Sequence, residues 1–222
     1  MKTIKFAGYD WEIKISDDLT GPGPNFYSEE CVSVQNNELI LEVIEKDKKL
    51  LCGEVILTES LGYGKYVFFL SSRIDLLLDN IVFGLFTWSN SALPNNCEID
   101  IEFSRWDNET ITNSQYVVQP SKTSDKLFRY DTHLTGDYST HIIDWKPNEI
   151  NFWSIHGHFL TPPSKNHIIE LWTYKGNAVP KPNNEHIHIN LWKYGRHSLR
   201  EEKDKLKSAK IKDFMFFPYL HI

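Results

Sequence analysis

The sequence lacks several features that mark other classes of protein. No apolar run reaches 18 residues, and the segment 1–10 has no uninterrupted apolar stretch like that of a secretion signal. We therefore expect no membrane partner and, unless a leader has been removed, a cytoplasmic protein. The net charge is −6 and no long basic run occurs, which argues against a nucleic-acid partner because phosphates require clustered Lys and Arg.

Cysteine is scarce, which limits both disulfides and metal sites. Cys31, Cys52 and Cys97 cannot all pair within the chain, and none of them belongs to a C-x-x-C motif. We therefore expect free thiols. His186 and His188 are spaced like neighbours on one strand face, but no third ligand accompanies them, so neither a metal site nor a cofactor is predicted.

What the sequence does contain is typical of an all-β protein. Of its 222 residues, 41% are hydrophobic and 14% are aromatic, and the apolar residues occur in short runs separated by Gly, Pro, Asn and Asp clusters. No linker divides the chain, so we predict one domain, residues 1–222, built as a β-sandwich. A charged stretch at 200–205 is expected to be a solvated loop. The predicted strands are 38–45, 52–59, 64–71, 81–88, 97–104, 113–119, 140–145, 149–155, 186–193 and 209–217.

The most unusual segment is Cys97-Glu98-Ile99-Asp100-Ile101-Glu102-Phe103. Alternate residues of a strand share a face, so the three carboxylates project together while the apolar residues between them enter the core. Like charges on one strand face are unfavourable, and Asp is disfavoured in strands. Ordinary solvent exposure therefore explains the pattern poorly, and a catalytic function explains it better.

The spacing of these acids suits a glycosidase that retains anomeric configuration. The α-carbons of Glu98 and Glu102 are about 13 Å apart at roughly 3.3 Å per residue. Their side chains can lean together above the shorter Asp100 toward the separation of about 5 to 5.5 Å that retaining enzymes need. Neighbouring negative charge raises the pKa of a carboxyl group, so one glutamate can stay protonated as the acid while the other stays ionised as the nucleophile.

This segment resembles the E-x-D-x-E signature of glycoside hydrolase family 16, in the form found in lichenases, the endo-β-1,3-1,4-glucanases. The resemblance implies a concanavalin A-like jelly roll of two antiparallel sheets with a cleft across the concave one. It also implies that Glu98 is the nucleophile, Glu102 the acid/base and Asp100 their assistant in hydrolysing internal β-glycosidic bonds. Further matches in the family's order are Cys52-Gly53-Glu54, Gly62-Tyr63-Gly64-Lys65-Tyr66, Phe86-Thr87-Trp88, Asp144-Trp145-Lys146-Pro147 and Asn190-Leu191-Trp192.

A set of substrate-binding residues follows from the matches and from strand alternation. For the aromatic candidates, packing in the core is the alternative to substrate binding. For Glu54 and Gln115, the alternative is simple exposure to solvent. We expect Trp145, Trp153 and Trp172 to build the core. The predicted substrate-binding residues are Glu54, Phe86, Trp88, Gln115, His188, Asn190 and Trp192.

Departures from the lichenase pattern leave the polysaccharide open. Ile56 replaces an arginine, and Gln115-Tyr116-Val117-Val118 replaces an aromatic pair. We expect a monomeric retaining endo-β-glycosidase that acts on a β-glucan or related polysaccharide. Some relatives carry a structural calcium ion, which this sequence does not predict. The alternatives are a transglycosylase that uses the same residues and a non-catalytic, lectin-like sugar-binding domain.

Overall fold

The computed structural model describes residues 2–92, 96–108, 110–121, 123–176, 178–195, 199 and 205–220. Most of the stretch 200–205, predicted to be a solvated loop, lies outside the described residues. The described residues form 17 strands and four short 3₁₀ helices. The strands are β1 (Lys2–Phe6), β2 (Tyr9–Ile13), β3 (Phe26–Tyr27), β4 (Val32–Gln35), β5 (Glu38–Glu42), β6 (Ile44–Lys46), β7 (Lys49–Leu57), β8 (Gly64–Leu70), β9 (Ile81–Trp88), β10 (Ile99–Phe103), β11 (Ser114–Val118), β12 (Leu127–Tyr130), β13 (Ser139–Lys146), β14 (Glu149–His156), β15 (Ile168–Lys175), β16 (His186–Lys193) and β17 (Ser208–Pro218). The 3₁₀ helices are Glu29–Cys31, Ile74–Leu76, Ser124–Lys126 and Lys165–His167.

Two sheets stack against each other. The first has the order β1-β2-β7-β16-β9-β10-β11-β12, and β3 and β6 also pair with β7. The second has the order β15-β14-β13-β8-β17-β5-β4. Neighbouring strands run antiparallel except for the two-residue strand β3, which is parallel to β7. The predicted all-β sandwich of two antiparallel sheets is confirmed.

Apolar side chains from the facing sides of the two sheets form a continuous core. Trp11 of β2 packs edge-on against Phe214 of β17, with ring centroids 5.5 Å apart. Phe103 of β10 packs in the same way against His141 of β13, at 4.8 Å. Each large apolar side chain buried in this way stabilises the fold by about 1.5 to 3 kcal/mol. This packing fixes one face of β10 and leaves its other face to the outside of the sandwich.

A buried polar cluster lies within this core beneath β11. The imidazole of His141 is fully buried; its Nδ1 lies 2.8 Å from Ser154 Oγ and its Nε2 lies 3.0 Å from Ser139 Oγ. The hydroxyl of Tyr116 donates to Ser154 Oγ at 2.7 Å. Burial, with a smaller contribution from the charge of His156, lowers the pKa of His141 to about 3, so this side chain is neutral in the folded protein.

The ten predicted strands all correspond to observed ones, although 38–45 is divided at Val43 between β5 and β6. Six strands were not predicted: β1, β2, β3, β4, β12 and β15. Trp145 is fully buried, and Trp172 packs against the core from the strand β15. Trp153 differs from the prediction, because it packs with Val67 and Ile142 in a separate small cluster on β8, β13 and β14.

Candidate active site

The three acidic residues lie side by side on the outward face of the first sheet. Glu98, Asp100 and Glu102 all line one cavity, whereas Ile99 and Ile101 between them are completely buried on the core side. The strand is shorter than predicted: Cys97 has a left-handed backbone with φ of 51°, so β10 begins only at Ile99. Glu98 precedes the strand, yet its carbonyl oxygen still accepts from the backbone N–H of Gln119 at 3.1 Å.

Strand register places each acid opposite a defined residue of β9 and β11. Asp100 pairs with Phe86 on β9 and with Val117 on β11. Glu102 pairs with Gly84 and Gln115 in the same way. Gly84 has no side chain, and it lines the cavity together with Glu102. A Cβ atom at this position would lie 2.6 Å from Asn190 Oδ1, so a larger residue would have to displace the Asn190 side chain.

Burial dominates the electrostatics of the acidic residues. It raises the pKa of Glu98 to about 7, with a further increase from the charge of Glu102 and a decrease from a hydrogen bond with Asp100. Burial, the charges of both glutamates and the same hydrogen bond raise the pKa of Asp100 well above its ordinary value. In its protonated form Asp100 can donate a hydrogen bond to an ionised Glu98.

Glu102 interacts with polar and charged side chains of the strands β11 and β12. Burial raises its pKa, while a hydrogen bond from Gln115 and the positive charge of Arg129 lower it. Gln115 Nε2 donates to Glu102 Oε2 at 2.5 Å. In register, Arg129 of β12 stands opposite Gln115, and its guanidinium lies 4.6 Å from the centre of the Trp106 ring. Gln115 is nearly buried and does not line the cavity, so it contacts an acid of the site and not the open space.

The cavity has a volume of about 540 Å³ and contains most of the residues predicted to bind a sugar. Phe86, Trp88 and Trp192 line it as partly exposed aromatic surfaces. Asp100 Oδ2 and Asn190 Oδ1 are buried and have no hydrogen-bond partner among the described residues, so a ligand hydroxyl could satisfy them. The predicted residues that line the cavity are Glu54, Phe86, Trp88, Glu98, Asp100, Glu102, His188, Asn190 and Trp192.

One wall of the cavity contains a buried hydrogen-bond network of charged and polar groups. The carboxylate of Glu54 is 2% exposed; its Oε1 lies 2.8 Å from His188 Nδ1 and its Oε2 lies 2.8 Å from Lys14 Nζ. Burial raises the pKa of Glu54, but the hydrogen bonds and charges of His188 and Lys14 outweigh burial, and the pKa is lowered overall. The His188 ring stacks on Phe86, with centroids 4.9 Å apart.

Several residues that line the cavity were not found from the sequence. Lys14 directly follows β2, and its ammonium also donates to the carbonyl of Gly21 at 2.7 Å. The loop around Gly21 is tied to β16, because Asn25 Nδ2 donates to Pro22 O and to Lys193 O. Lys14 is an isolated lysine in sequence, and only the tertiary fold shows that it meets Glu54. The other lining residues absent from the prediction are Thr20, Gly21, Pro22, Gly84 and Asn90, together with Ile56, which was noted only as a departure.

The structure also places the cysteine and histidine residues considered for other roles. Cys97 is buried, and its thiol donates to the carbonyl of Lys181 at 3.0 Å. His186 Nδ1 lies 2.8 Å from the carbonyl oxygen of Leu57. Over the described ranges, no group of three or more His, Cys, Asp or Glu side chains is arranged to hold a metal ion. None of the helices in the described part of the chain is long and apolar enough to span a bilayer.

A family model described as "Glycosyl hydrolases family 16" matches residues 24–212. The chain belongs to this family. The matched range includes the acidic strand and the cavity residues of β7, β9 and β16, but it begins after Lys14. No curated protein is significantly similar to the chain in sequence.

Solved structures of other family 16 proteins share the fold at low sequence identity. The β-glucanase of Bacillus licheniformis is 18% identical, with 95% of this chain and 92% of that chain covered at a TM-score of 0.65. A Bacteroides ovatus mixed linkage glucan family 16 protein, in complex with the product G4G4G3G, is 15% identical, with 93% and 94% covered at 0.67. An immunostimulatory antigen and pseudo-β-1,3-glucanase of Mycobacterium tuberculosis is 16% identical, with 95% and 91% covered at 0.63.

Proposed function

We propose that this family 16 protein is a retaining endo-β-glycosidase that hydrolyses a β-glucan or related polysaccharide. The observation that carries the proposal is the row of Glu98, Asp100 and Glu102 at the start of and along the inner strand β10, in an aromatic-lined cavity. A sugar-binding domain needs no such crowding of carboxyl groups, because each buried acid costs free energy when it is ionised. The raised pKa of Glu102 is the property that a general acid needs near neutral pH.

The proposed reaction has two steps. In the first, the carboxylate of Glu98 attacks the anomeric carbon, the glycosidic C–O bond breaks, and Glu102 gives its proton to the leaving oxygen. In the second, Glu102 takes a proton from water, whose oxygen displaces Glu98 and releases the sugar with its original β configuration. A protonated Asp100 donates a hydrogen bond that stabilises Glu98 when it is ionised, before the first step and after the second.

The polysaccharide is proposed from the aromatic lining of the cavity and from the activities described for similar structures. Phe86, Trp88 and Trp192 offer flat apolar surfaces on which sugar rings can stack. Several structural neighbours are described as glucanases acting on β-1,3 or β-1,3-1,4 linkages. We therefore place lichenan and laminarin first among candidate substrates. A sugar acceptor that competes with water for the glycosyl-enzyme would make the protein a transglycosylase by the same route.

The test is hydrolysis of lichenan, laminarin, xyloglucan, agarose and carrageenan by the wild type and by Glu98→Gln. Reducing ends should appear with the wild type, and the anomer released first should be β by proton NMR. Glu98→Gln should lose at least about a thousandfold in rate, because the amide is not a nucleophile. Glu45→Gln makes the same chemical change on the exposed strand β6 and should leave the rate unchanged.

Three outcomes would count against the proposal. Activity of Glu98→Gln equal to wild type would exclude Glu98 as nucleophile. An α anomer as first product would exclude retention. Binding of oligosaccharides without turnover of any of the five polysaccharides would favour the lectin-like alternative. This alternative is worth testing because one structural neighbour is described as a pseudo-β-1,3-glucanase.

A further inference from the structure

Glu54 lies in the cavity wall, but its carboxylate is occupied by the protein itself. One oxygen is bound by His188 and the other by Lys14, each at 2.8 Å, and the side chain is 2% exposed. Because its pKa is lowered, Glu54 is an ionised acceptor and cannot donate a hydrogen bond. The side chain is therefore suited to holding its two partners and poorly placed to contact a ligand directly.

The contact with Glu54 fixes the orientation and the tautomer of His188. A carboxylate can only accept, so Nδ1 must carry the proton that is donated to Glu54 Oε1. The stacking of the imidazole on Phe86, with 30° between the ring planes, fixes the remaining rotation. Nε2 is on the other side of the ring and has no hydrogen-bond partner among the described residues. When the imidazole is neutral, Nε2 is a hydrogen-bond acceptor at the wall of the cavity that His188 lines.

Lys14 is held by the other oxygen of the same carboxylate. Its ammonium has three N–H donors, of which one is directed to Glu54 Oε2 and one to the carbonyl of Gly21. The ammonium also lies 4.1 Å from the centre of the Tyr27 ring. These contacts fix the head group and leave one donor unassigned in a residue that lines the cavity.

We propose that Glu54 is a positioning residue that presents His188 Nε2 and Lys14 Nζ as a matched acceptor and donor for two adjacent hydroxyl groups of one sugar unit. Of two neighbouring hydroxyls, one can donate to His188 and the other can accept from Lys14. This inference rests on the proposed function and extends it to the substrate class: a neutral polysaccharide whose sugar at this position carries a free vicinal diol.

Charge supports a neutral sugar at this position over a sulfated or carboxylated one. The ionised Glu54 and the ammonium of Lys14 cancel, so the wall carries no net charge when His188 is neutral. Glu98 lies in the same cavity and, when ionised as the proposed nucleophile, would repel an anionic substituent. A buried ion pair also contributes little net stability compared with apolar side chains of similar volume. The network is therefore better explained by what it presents to a ligand than by the stability of the fold.

The inference is tested by steady-state kinetics on the polysaccharide that the wild type cleaves fastest. His188→Phe, the milder His188→Gln, and Lys14→Met should each raise KM about tenfold, which is the effect of losing one hydrogen bond of typical strength. The value of kcat should stay within threefold of wild type, because these residues bind ground state and transition state alike. His133→Phe and Lys210→Met make matched changes at exposed positions and should leave both constants unchanged.

The positioning role of Glu54 needs a readout that does not depend on turnover. Nitrogen-15 NMR of the histidine side chains should show the neutral His188 ring protonated at Nδ1 in the wild type. Glu54→Gln should shift this ring toward a mixture of tautomers. Addition of cellotriose or laminaritriose to Glu98→Gln protein should shift the His188 Nε2 resonance, and the shift should be absent in the triple variant that also carries Lys14→Met and Glu54→Gln.

The outcomes separate this inference from the proposed function. If Glu98→Gln abolishes turnover but the His188 and Lys14 variants keep the wild-type KM, the hydrolase stands and the inference is wrong. A hundredfold fall in kcat at constant KM would also overturn it, because His188 would then act in the chemistry. If the wild type cleaves no polysaccharide, the proposed function fails and the NMR titration decides alone; no shift at Nε2 with either trisaccharide would overturn the inference.

Discussion

Replacement of Gln115 by leucine should move the alkaline side of the activity profile to higher pH. Gln115 Nε2 donates to Glu102 Oε2, and this hydrogen bond lowers the pKa of the proposed acid/base against the effect of burial. Leucine has a similar volume but no donor. Because Glu102 must be protonated to act as the acid, a higher pKa would keep the enzyme active at a more alkaline pH.

The magnitude follows from the type of contact that is lost. A hydrogen bond to a charged group contributes about 1.5 to 3 kcal/mol, and one unit of pKa corresponds to about 1.4 kcal/mol. Gln115 is only 6% exposed, so water would replace the lost donor poorly, whereas the charge of Arg129 would continue to favour ionised Glu102. We therefore expect the alkaline limb of kcat/KM to shift upward by roughly one pH unit.

The assay is the rate of reducing-end release from the preferred polysaccharide between pH 4 and 10. Gln35→Leu provides the control, since it makes the same change at an exposed position on β4 and should leave the profile in place. A downward shift of the alkaline limb in Gln115→Leu would refute the reasoning. A fall in rate at every pH with no shift would show that Gln115 acts on the substrate and not on Glu102.

Two further results are expected. Asp100→Asn should retain about 10 to 100 times more activity than Asp100→Leu in the same assay, because an amide can still donate the hydrogen bond that protonated Asp100 gives to Glu98; equal loss in both variants would contradict this role. For His141, the folded pKa of about 3 lies below the ordinary value of 6.5, so the stability that its neutral form contributes is present above pH 6.5 and falls as the pH decreases toward 3. Between pH 7 and pH 4.5 the wild type should lose about 2 to 3 kcal/mol of unfolding free energy more than His141→Gln does, as measured by urea denaturation; parallel losses in the two proteins would show that His141 is not the titrating group.

The inner strands of the two sheets could be predicted from the sequence, whereas the strands at the sheet edges could not. Apart from β2, every strand with neighbours on both sides was predicted, because such strands carry near-continuous or strictly alternating apolar residues. All four terminal strands, β1, β4, β12 and β15, were missed. A terminal strand has a partner on one side only and is partly solvated, so its pattern mixes polar and apolar residues and resembles that of a loop. The two-residue strand β3 is too short to have a pattern.

The same distinction explains which parts of the candidate site could be predicted. Glu98, Asp100 and Glu102 are contained in one short segment with strict alternation, so their common face follows from local geometry alone. His188 and Asn190 alternate on β16 in the same way. The positions of Gln115 and Glu54 across the sheet could be named from the family pattern, but whether each faces a ligand or another side chain depends on neighbours from different strands.

Lys14 shows why local patterns could not complete the site. It follows a strand that the sequence did not reveal and lies before the range that the family model matches. Its ammonium nevertheless occupies one oxygen of Glu54, on a strand 40 residues later in the chain. With that oxygen unpaired, a buried carboxylate would be left partly uncompensated, at a cost of several kcal/mol. The role of Glu54, which was predicted from the family pattern, thus depends on Lys14, which lies outside that pattern. The observed partners of Glu54 must be considered before a substrate contact is assigned to it.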